Sequence, residues 1–599
     1  MQTIAARRET LPQLILRCLE KQRDAALVER TGGKWTPLSS EALLKRVNDL
    51  ACAIRDCGLG AGDRVGLISP NRIDWIVADF ATLFAGCVVV PIFPTQAVDQ
   101  VGFILNDSQA KLLFIDKQSS VDRLKPLASR LPRTIVFDGE GENSLRNFEE
   151  RGASVRALHP EQPACFQESQ NAGDVAVLIY TSGTTGQPKG VMLTHYNLAS
   201  NANAVFDYGF EPERDNIALS VLPFSHIYEH CFIYGYLMNG VTLYIARSTD
   251  ELVEDLKEVR PMVMTSVPRI FELMIAGIVG KAKHAGGLRA KLVPWALAAG
   301  REYMTCKVAG KRPGIMRSLK YAVAKKLVLS KIRPLMGLDR LSYFCSGSAP
   351  LHDDTAMTLL GIGIEILQGY GVTECSPVIT CNRQEDNRYG TVGRPIPGVE
   401  VKIADDGEVL ARGPNVMKGY YHDDGATASA LVDGWYHTGD IGALDRDGYL
   451  IITDRKKELF KTSGGKFISP ARIETAIKRS VYINQVMVVG DGRPHPAALV
   501  SPNWPLLAAE LNLPRDGDSV KLADRKDVWD FLTAEVRRNT ADLARFEQVR
   551  RVVVLPHELS VENGELSPTL KVKRRVVETH FGHLIDRVYA LDLNAANRA

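Results

Sequence analysis

The ten cysteines of this 599-residue chain include no C-x-x-C pair. Scattered cysteines without such a pair fit reduced thiols in a cytoplasmic protein better than a disulfide framework or a zinc site, so we expect reduced thiols. The sequence also lacks a long uninterrupted apolar run. Its most apolar stretch, residues 80–93, follows Asp79 and is broken by Gly86 and Pro91. A core helix followed by a core strand is the better prediction there than a membrane span.

The first eight residues lack the apolar segment of a secretory signal, and the formal charge of +3 favours no class of partner. A composition of 45% hydrophobic and 24% charged residues is typical of soluble globular proteins and excludes disorder. A chain of 599 residues exceeds what one hydrophobic core supports. We therefore expect at least two domains.

The most informative stretch, residues 180–190, reads Y-T-S-G-T-T-G-Q-P-K-G. An apolar strand pattern precedes it at 175–179, a second follows at 191–193, and Thr194 is a candidate helix N-cap. Glycines allow close approach of backbone N–H groups, hydroxyls add donors, and Lys189 adds a positive charge, as a triphosphate requires. A plain polar turn is the alternative. Gly190 stands where a P-loop NTPase has Ser or Thr, which disfavours that class.

Helical and strand patterns alternate along the first 170 residues, which predicts an α/β fold with a parallel sheet covered by helices. Four further strand patterns, at 218–222, 262–267, 341–345 and 364–367, each run into polar or glycine-rich residues. Ligands of open α/β sheets bind beyond the carboxyl ends of the strands. We therefore predict one shared crevice at these strand ends.

Residues 281–333 hold roughly fourteen Lys and Arg against a single acid, Glu302. Helices are predicted, and a solvated helical insertion at about 278–338 is one interpretation. The other is a surface that attracts anionic lipid head groups or the phosphates of a thioester carrier. A nucleic-acid role is disfavoured, because no aromatic platform or binding module accompanies the charge.

Hairpin patterns occupy residues 399–453, and Ser469 with Pro470 forms a helix-start pattern. From these we predict an N-terminal domain at 1–454, a hinge at 455–457 and a C-terminal domain at 458–599.

The stretch at 180–190 resembles the phosphate loop of the acyl-adenylate-forming enzymes, which include acyl-CoA synthetases, luciferases and peptide-synthetase adenylation domains. Five later segments resemble the remaining signatures in the family order. They are S-G-S-A-P at 346–350, Q-G-Y-G-V-T-E at 368–374, Y-H-T-G-D at 436–440, K-T-S-G-G-K at 461–466 and N-G-E-L-S-P-T-L-K at 563–571. The resemblance implies a large domain of layered α/β sheets with a β-subdomain, and a smaller mobile α+β domain.

The resemblance also implies roles for individual residues. Lys571, Glu374 and Lys189 would be catalytic, with Glu374 and Thr181 on Mg²⁺, Lys457 as the hinge, and Gly464 and Gly465 lining the tunnel for the coenzyme A thiol. Lys573, which lies two residues after Lys571, is the alternative position for the catalytic lysine. The implied ATP and AMP contacts are Thr181, Ser182, Gly183, Thr184, Thr185, Gly186, Lys189, Gly347, Ser348, Ala349, Gln368, Gly369, Tyr370, Gly371, Thr373, Asp440, Arg455 and Lys571.

Segments at 223–229 and 266–272, the insertion, and Thr-Leu-Lys at 569–571 resemble the long-chain fatty acyl-CoA synthetases. The implied reaction joins a fatty acid to coenzyme A through an acyl-AMP, using ATP and Mg²⁺. An acyl pocket is predicted near His226, Phe232, Tyr234 and Tyr236, although these residues fit a plain core equally well. Alternatives are a fatty acyl-AMP ligase that loads a carrier protein, a ligase for medium-chain or aryl acids, and a nucleotide-binding or membrane-recruitment protein without catalysis. Peripheral contact with the inner face of an anionic membrane and a homodimer are further expectations, while chain length and pathway stay open.

Overall fold

The computed structural model describes residues 9–182, 187–208, 216–456, 458–514, 519–560, 562–567 and 571–596. The chain divides into two compact units. The large unit comprises residues 1–402, 410–438 and 444–451, and the small unit comprises 403–409, 439–443 and 452–599. Each unit has hydrophobic clusters of its own.

The strands of the described residues are short, mostly of four to eight residues. They are β1 Leu27–Thr31, β2 Lys34–Leu38, β3 Arg64–Ile68, β4 Val88–Ile92, β5 Leu112–Ile115, β6 Arg133–Val136, β7 Val175–Ser182, β8 Pro188–Thr194, β9 Ile217–Ser220, β10 Thr242–Ile245, β11 Val263–Ser266, β12 Tyr343–Ser346, β13 Ile366–Gly371, β14 Val378–Cys381, β15 Arg394–Pro395, β16 Glu400–Ile403, β17 Glu408–Arg412, β18 Gly419–Tyr420, β19 Leu431–Val432, β20 Trp435–Leu444, β21 Leu450–Arg455, β22 Phe460–Lys461, β23 Phe467–Ile468, β24 Ile483–Val489, β25 Ala497–Pro502 and β26 Arg551–Val554.

The α-helices of the described residues connect and cover these strands. They are α1 Leu11–Leu19, α2 Ser40–Asp56, α3 Ile73–Phe84, α4 Val98–Ser108, α5 Gln118–Arg123, α6 Leu145–Leu158, α7 Gln162–Glu168, α8 His195–Tyr208, α9 Ile227–Met238, α10 Leu252–Val259, α11 Pro268–Ala285, α12 Gly287–Val308, α13 Ile315–Ala324, α14 Ser330–Leu335, α15 Asp353–Ile362, α16 Asp424–Ala430, α17 Pro470–Ile477, α18 Trp504–Leu511, α19 Ser519–Ala523, α20 Lys526–Thr540 and α21 Arg574–Ala596.

Two sheets organise the large unit. One has the strand order β18-β8-β7-β4-β3-β5-β6, and the other has the order β15-β14-β13-β12-β11-β9-β10-β1-β2. Strands β3, β4, β5 and β6 pair in parallel, which confirms the prediction for the first 170 residues. Strands β9, β11, β12 and β13 also pair in parallel, so their carboxyl ends share one edge of the second sheet. A five-stranded sheet holds β16, β17, β20 and β19 in that order, with β21 paired to β20.

The core of the large unit follows from the apolar pattern of its elements. Strand β4 is buried at every position, and helix α3 is buried along nearly its whole length. This explains the apolar stretch at 80–93, because a helix packed between sheets has no polar face to show. Helix α8 begins as predicted, since Thr194 Oγ1 accepts a hydrogen bond from Asn197 N at 3.1 Å.

The basic insertion is helical, as predicted. Helices α11, α12, α13 and α14 occupy it, and residues 325–329 form a π-helical turn between α13 and α14. None of the described helices combines the length and the apolar character that crossing a bilayer requires.

The small unit is built on the three-stranded sheet β24-β25-β26. Side chains alternate between its two faces. One face packs Val486, Val488 and Val500 against α17 and α20, and the other packs Met487, Val489 and Leu499 against α21. Ser469 Oγ caps α17 by accepting a hydrogen bond from Arg472 N at 3.3 Å, as the sequence pattern predicts.

Candidate active site

The predicted phosphate loop connects the two strands of a hairpin. Strands β7 and β8 pair antiparallel, with Thr181 opposite Lys189. Residues 183–186, which carry the predicted contacts Gly183, Thr184, Thr185 and Gly186, lie outside the described residues, as does the side chain of Ser182. Lys189 Nζ lies 3.0 Å from Asp423 Oδ2 and 5.3 Å from the centre of the Tyr420 ring. The predicted phosphate-binding ammonium is therefore held at the base of the loop.

Glu374 lies on a short turn, Thr373–Cys375, that follows the end of β13. Its Oε1 accepts a hydrogen bond from the Tyr420 hydroxyl at 2.8 Å, and its carbonyl accepts one from Met417 N at 2.8 Å. Because the Tyr420 ring also faces Lys189, this one tyrosine brings the hairpin and the Glu374 segment together. The sequence alone did not identify Tyr420.

Gln368, Gly369, Tyr370 and Gly371 form the carboxyl end of β13, and the last three keep partial solvent access. Position 371 requires glycine because there is no room for a side chain. A Cβ at this position would lie 1.8 Å from the carbonyl oxygen of Pro377, far inside van der Waals contact. The close approach of the strand to the turn at 376–377 therefore fixes the position of the Glu374 segment.

Two buried asparagines hold the backbone around Glu374. Asn415 Nδ2 donates to the carbonyls of Cys375 and Val378, both at 3.0 Å. Asn201 Nδ2 donates to the Val378 carbonyl at 2.7 Å, and its Oδ1 accepts from Val378 N at 3.2 Å. Neither residue was predicted, because its partners lie far away in sequence and no local pattern marks it.

The predicted adenine loop follows β12. Ser348 adopts a left-handed backbone with φ of +67°, and a Cβ on Gly347 would lie 3.2 Å from the Tyr228 ring. The Tyr228 hydroxyl donates to the carbonyl of Cys345 at 3.1 Å. Ala349 continues the loop after Ser348. Tyr228, on α9, thus packs against this loop, and sequence reasoning assigned it no role there.

Glu229, the next residue of α9, is fully buried beneath the strand ends. Its two carboxylate oxygens accept hydrogen bonds from the hydroxyls of Ser220 and Thr265, the latter at 2.6 Å. Burial raises the pKa of Glu229 to about 7, although both hydrogen bonds act in the opposite direction. The crevice edge therefore contains a carboxyl group that titrates near neutral pH.

The residues predicted near an acyl pocket all belong to α9 or cap it. His226 Nδ1 accepts from Tyr228 N at 3.2 Å at the start of the helix. Phe232, Tyr234 and Tyr236 are buried, and the Tyr234 hydroxyl donates to Asp79 at 3.0 Å. These side chains are accounted for by core packing, and their role in acyl binding stays a prediction.

Three cysteines accompany the predicted nucleotide segments. Burial raises the pKa of Cys345 and Cys375 well above its ordinary value and that of Cys381 to about 12. The cysteines of the described residues are all free thiols.

The small unit contains the remaining predicted residues. Arg455 Nε lies 3.2 Å from Asp440 Oδ1, and Asp440 is largely buried. Lys571 keeps solvent contact along part of its side chain. Its pKa is lowered, first by desolvation of its ammonium and then by the positive charge of Arg455, while Asp440 acts in the opposite direction. The charges of Arg455 and Asp440 thus act in opposite directions on the Lys571 ammonium. Lys457 lies outside the described residues.

Gly464 and Gly465 lie in a turn between β22 and β23. Gly465 has a φ of +77°, and its N–H donates to the Thr462 carbonyl at 2.8 Å. A Cβ on either glycine would meet little, with 3.8 Å as the nearest approach at Gly465. The turn therefore requires glycine for its backbone conformation at 465, and it leaves open space beside it.

The segment that carries Lys571 is anchored by Glu565. His557 Nε2 and His580 Nδ1 lie 3.0 Å and 3.2 Å from the same oxygen of Glu565, and its second oxygen accepts from Ser560 N at 3.2 Å. Burial alone would raise the pKa of Glu565, but the hydrogen bonds with the two histidines outweigh it and the pKa is lowered. The sequence indicated no role for this glutamate.

Two family models match separate parts of the chain. The AMP-binding enzyme family matches residues 17–421, and the AMP-binding enzyme C-terminal domain matches residues 457–592. A long-chain-fatty-acid–CoA ligase of Mycobacterium bovis is 35% identical over 570 residues, which cover 93% of each chain. The peroxisomal long chain acyl-CoA synthetase 7 of Arabidopsis thaliana is 32% identical over 589 residues, covering 90% of this chain and 79% of the relative.

Two solved structures are similar to this fold. The adenylation domain of a carboxylate reductase from Mycobacterium chelonae has a TM-score of 0.76 at 23% identity, covering 98% of this chain and 92% of that chain. The anthranilate CoA ligase AuaEII, solved with anthranoyl-AMP, has a TM-score of 0.71 at 17% identity, covering 95% and 97%. At these identities the likeness shows a shared fold, which confirms the predicted adenylate-forming architecture.

Proposed function

The chain belongs to the AMP-binding enzyme family, and from this membership we propose that it is an AMP-forming long-chain fatty acid–CoA ligase. The observation that carries the proposal is the cluster of Lys189, Tyr420 and Glu374 at the edge of the large unit's sheets. It places an ammonium and a carboxylate beside the hairpin whose loop has a phosphate-binding sequence. The relatives' names supply the substrate class.

The chemistry requires activation of a carboxylate, which is a poor electrophile. The fatty carboxylate attacks the α-phosphate of ATP, releasing pyrophosphate and forming acyl-AMP. The thiol of coenzyme A then attacks the acyl carbon and AMP leaves, giving the thioester. Negative charge gathers in the first step, so Lys189 and Lys571 contribute positive charge and position rather than a covalent bond.

Mg²⁺ is the metal that this donor set fits. It prefers hard oxygen ligands and is commonly held by one or two carboxylates together with substrate phosphates. Glu374 offers such a carboxylate, oriented by the Tyr420 hydroxyl, and Thr181 offers a hydroxyl on the hairpin opposite Lys189. Bound there, the ion would neutralise phosphate charge.

The remaining site assignments complete the proposal. Tyr370, Thr373, the loop at 347–349 and Gln368 would contact the nucleotide, while Asp440 and Arg455 would bind its ribose and phosphate. Residues 455–457 would be the hinge between domains 1–454 and 458–599. The turn at Gly464 and Gly465 would admit the thiol, for which its open space and its φ of +77° at Gly465 give support. A bulky change at Gly465 is expected to block thioester formation and spare adenylation.

Product analysis tests the function directly. The full chain is incubated with MgATP and palmitate, with and without coenzyme A. We expect AMP and palmitoyl-CoA, with the thioester formed only when coenzyme A is present. Adenylate that accumulates without transfer would indicate a carrier-protein ligase, ADP would contradict the proposed chemistry, and activity only with shorter or aryl acids would revise the substrate.

The basic insertion supports a proposed peripheral contact with anionic membranes. Helix α13 exposes Ile315, Met316 and Leu319 at 90%, 79% and 60% of their surface. Within the described residues, the following flanking cations make no ion pair: Lys311, Arg312, Lys325, Lys326 and Lys331. An exposed apolar stripe beside unpaired positive charge fits an anionic lipid surface.

Sedimentation with phosphatidylglycerol vesicles tests this contact. Changing the Lys and Arg of 311–333 to Gln should abolish binding, and changing Ile315 and Met316 to Ser should weaken it at constant charge. Unchanged vesicle binding in both variants would contradict the proposed membrane contact. Light scattering of the purified protein without vesicles tests the predicted homodimer.

A further inference from the structure

A buried carboxylate with two histidine partners accompanies the segment that carries Lys571. Glu565 is only 1% exposed. His557 Nε2 lies 3.0 Å from its Oε1 atom, and His580 Nδ1 lies 3.2 Å from the same atom. Its Oε2 atom accepts a hydrogen bond from Ser560 N at 3.2 Å. Burial acts to raise the pKa of Glu565, but these hydrogen bonds lower it overall, so the group is ionised at neutral pH and both imidazoles must donate to it.

This group, which we call the carboxylate clamp, joins three separate parts of the small unit. His557 lies shortly after β26, His580 lies in α21, and Glu565 lies between them in sequence. Leu566 and Phe581 belong to one hydrophobic cluster, and the His557 ring centre lies 5.4 Å from that of Phe581. A buried carboxylate is unfavourable without its donors, so each histidine helps to hold Glu565 in one place.

The backbone of Lys571 is hydrogen-bonded to the residues around Glu565. Lys573 N donates to the Glu565 carbonyl at 2.8 Å, and Ser567 N donates to the Lys571 carbonyl at 2.7 Å. Lys571 N in turn donates to Ser567 Oγ at 3.1 Å. These three hydrogen bonds fix the backbone of Lys571 relative to that of Glu565, whose own position the carboxylate clamp sets.

Such anchoring matters because the surroundings of the Lys571 ammonium are mixed in charge. Desolvation and the positive charge of Arg455 lower the pKa of Lys571, while Asp440 and Glu458 act in the opposite direction. Repulsion by Arg455 favours movement of the ammonium away from that guanidinium. A fixed backbone limits this movement, so side-chain attraction alone does not have to hold the lysine.

We propose that Glu565, His557 and His580 are positioning residues for adenylate formation, which hold Lys571 through its paired backbone. The inference rests on the proposed function, in which Lys571 contributes charge to the first half-reaction only. A charge stabilises a transition state only when it is correctly placed, and a displacement of about 1 Å can cost about a hundredfold in rate. Loss of the carboxylate clamp should therefore lower kcat for adenylate formation and leave substrate binding nearly unchanged.

The two half-reactions, measured separately, test this role. His557→Ala and His580→Ala are made singly in the full chain. One assay follows pyrophosphate release with palmitate and MgATP, and the other follows transfer from supplied palmitoyl-AMP to coenzyme A. We expect kcat for pyrophosphate release to fall about tenfold in each variant, with KM values for ATP and palmitate within about twofold of wild type. Transfer from palmitoyl-AMP should stay unchanged.

Conservative variants separate the hydrogen bond from the bulk of the ring. In His557→Gln the amide nitrogen can take the place of Nε2, and in His580→Asn it can take the place of Nδ1. Both variants should restore most of the pyrophosphate release. His583→Ala is the matched control, because His583 is an exposed residue three positions further along α21. It should behave as wild type in both assays.

Several results would overturn the inference. They are unchanged kcat in both alanine variants, equal loss in the two half-reactions, and failure of both amide variants to restore pyrophosphate release. Thermal melting verifies folding. If the alanine variants do not fold, Glu565→Gln, which keeps the shape of the side chain, decides by the same two assays.

Hydrogen exchange of the segment 563–575, followed by mass spectrometry, measures the anchoring without any substrate. The alanine variants should exchange faster than wild type at the amides of Ser567, Lys571 and Lys573, and His583→Ala should not. Unchanged exchange would overturn the inference. Failure of the proposed function gives a different result, because the wild-type chain itself would then release no pyrophosphate with palmitate. An active wild type with equally active alanine variants refutes the positioning role alone.

Discussion

Glu229 provides a quantitative test of the crevice edge. Its carboxyl group is buried with two hydroxyl partners, and burial raises its pKa from 4.5 to about 7. In the unfolded chain the group ionises near pH 4.5, whereas in the folded chain it keeps its proton up to about pH 7. The unfolded state therefore binds fewer protons in this window, so stability falls as pH rises through it.

The magnitude follows from the two pKa values. At 1.36 kcal/mol per unit, the full difference is about 3 kcal/mol, of which about 2.5 kcal/mol develops between pH 5 and pH 8. Glu229→Gln mimics the protonated group and lacks this loss. Unfolding of the roughly 440 residues of the large unit has an entropy of about 0.9 kcal/mol per kelvin. The variant should therefore gain about 3 °C in Tm over wild type when the pH changes from 5 to 8.

Differential scanning calorimetry at several pH values measures this gap. Glu168→Gln is the matched control, since Glu168 is an exposed carboxylate of the same unit and its removal should leave the pH dependence unchanged. A difference in Tm between wild type and Glu229→Gln that stays constant from pH 5 to pH 8 would refute the reasoning. It would mean that Glu229 is ionised in the folded protein throughout, stabilised by its hydroxyl partners.

Three further outcomes are expected. Lys571→Ala should abolish pyrophosphate release with palmitate and ATP but leave transfer from supplied palmitoyl-AMP largely intact; equal loss in both assays contradicts the assignment. Gly371→Ala should destabilise the large unit by about 3 kcal/mol or more in thermal melts, because its Cβ would meet a carbonyl oxygen at 1.8 Å. Gly173→Ala is the control and should leave stability unchanged, because its Cβ would meet nothing within 4 Å. Glu565→Gln should destabilise the small unit above about pH 4.5. The difference in stability from wild type should shrink as pH falls through the lowered pKa of Glu565. Chemical denaturation of wild type and variant at pH 7 and at pH 3 measures this difference at the two pH values.

Local pattern sufficed for the fold and for the elements that present the site. The strands at 175–182 and 263–266 and the cap at Ser469 all follow from runs of apolar residues or from capping chemistry between near neighbours. The family order of the signature segments then assigned Glu374, Lys189 and Lys571 to one predicted active site. These features are encoded within a few residues each, which is why the sequence alone indicates them.

The supporting contacts could not be predicted because they join distant parts of the chain. Asn201 bonds a carbonyl 177 residues away, and the hydroxyl of Tyr420 reaches a carboxylate 46 residues back. Tertiary packing alone determines such contacts, so no local sequence pattern indicates them.

The thiols near the nucleotide segments have a consequence for chemoselectivity. Acyl-AMP is a strong acylating agent, and a thiolate is the side chain that it would most readily modify. With a pKa of about 12, Cys381 is ionised in roughly one molecule in 10⁵ at pH 7, and Cys345 and Cys375 are also held protonated. Raised thiol pKa values therefore make these cysteines weak nucleophiles toward the intermediate, so they compete little with the incoming thiol.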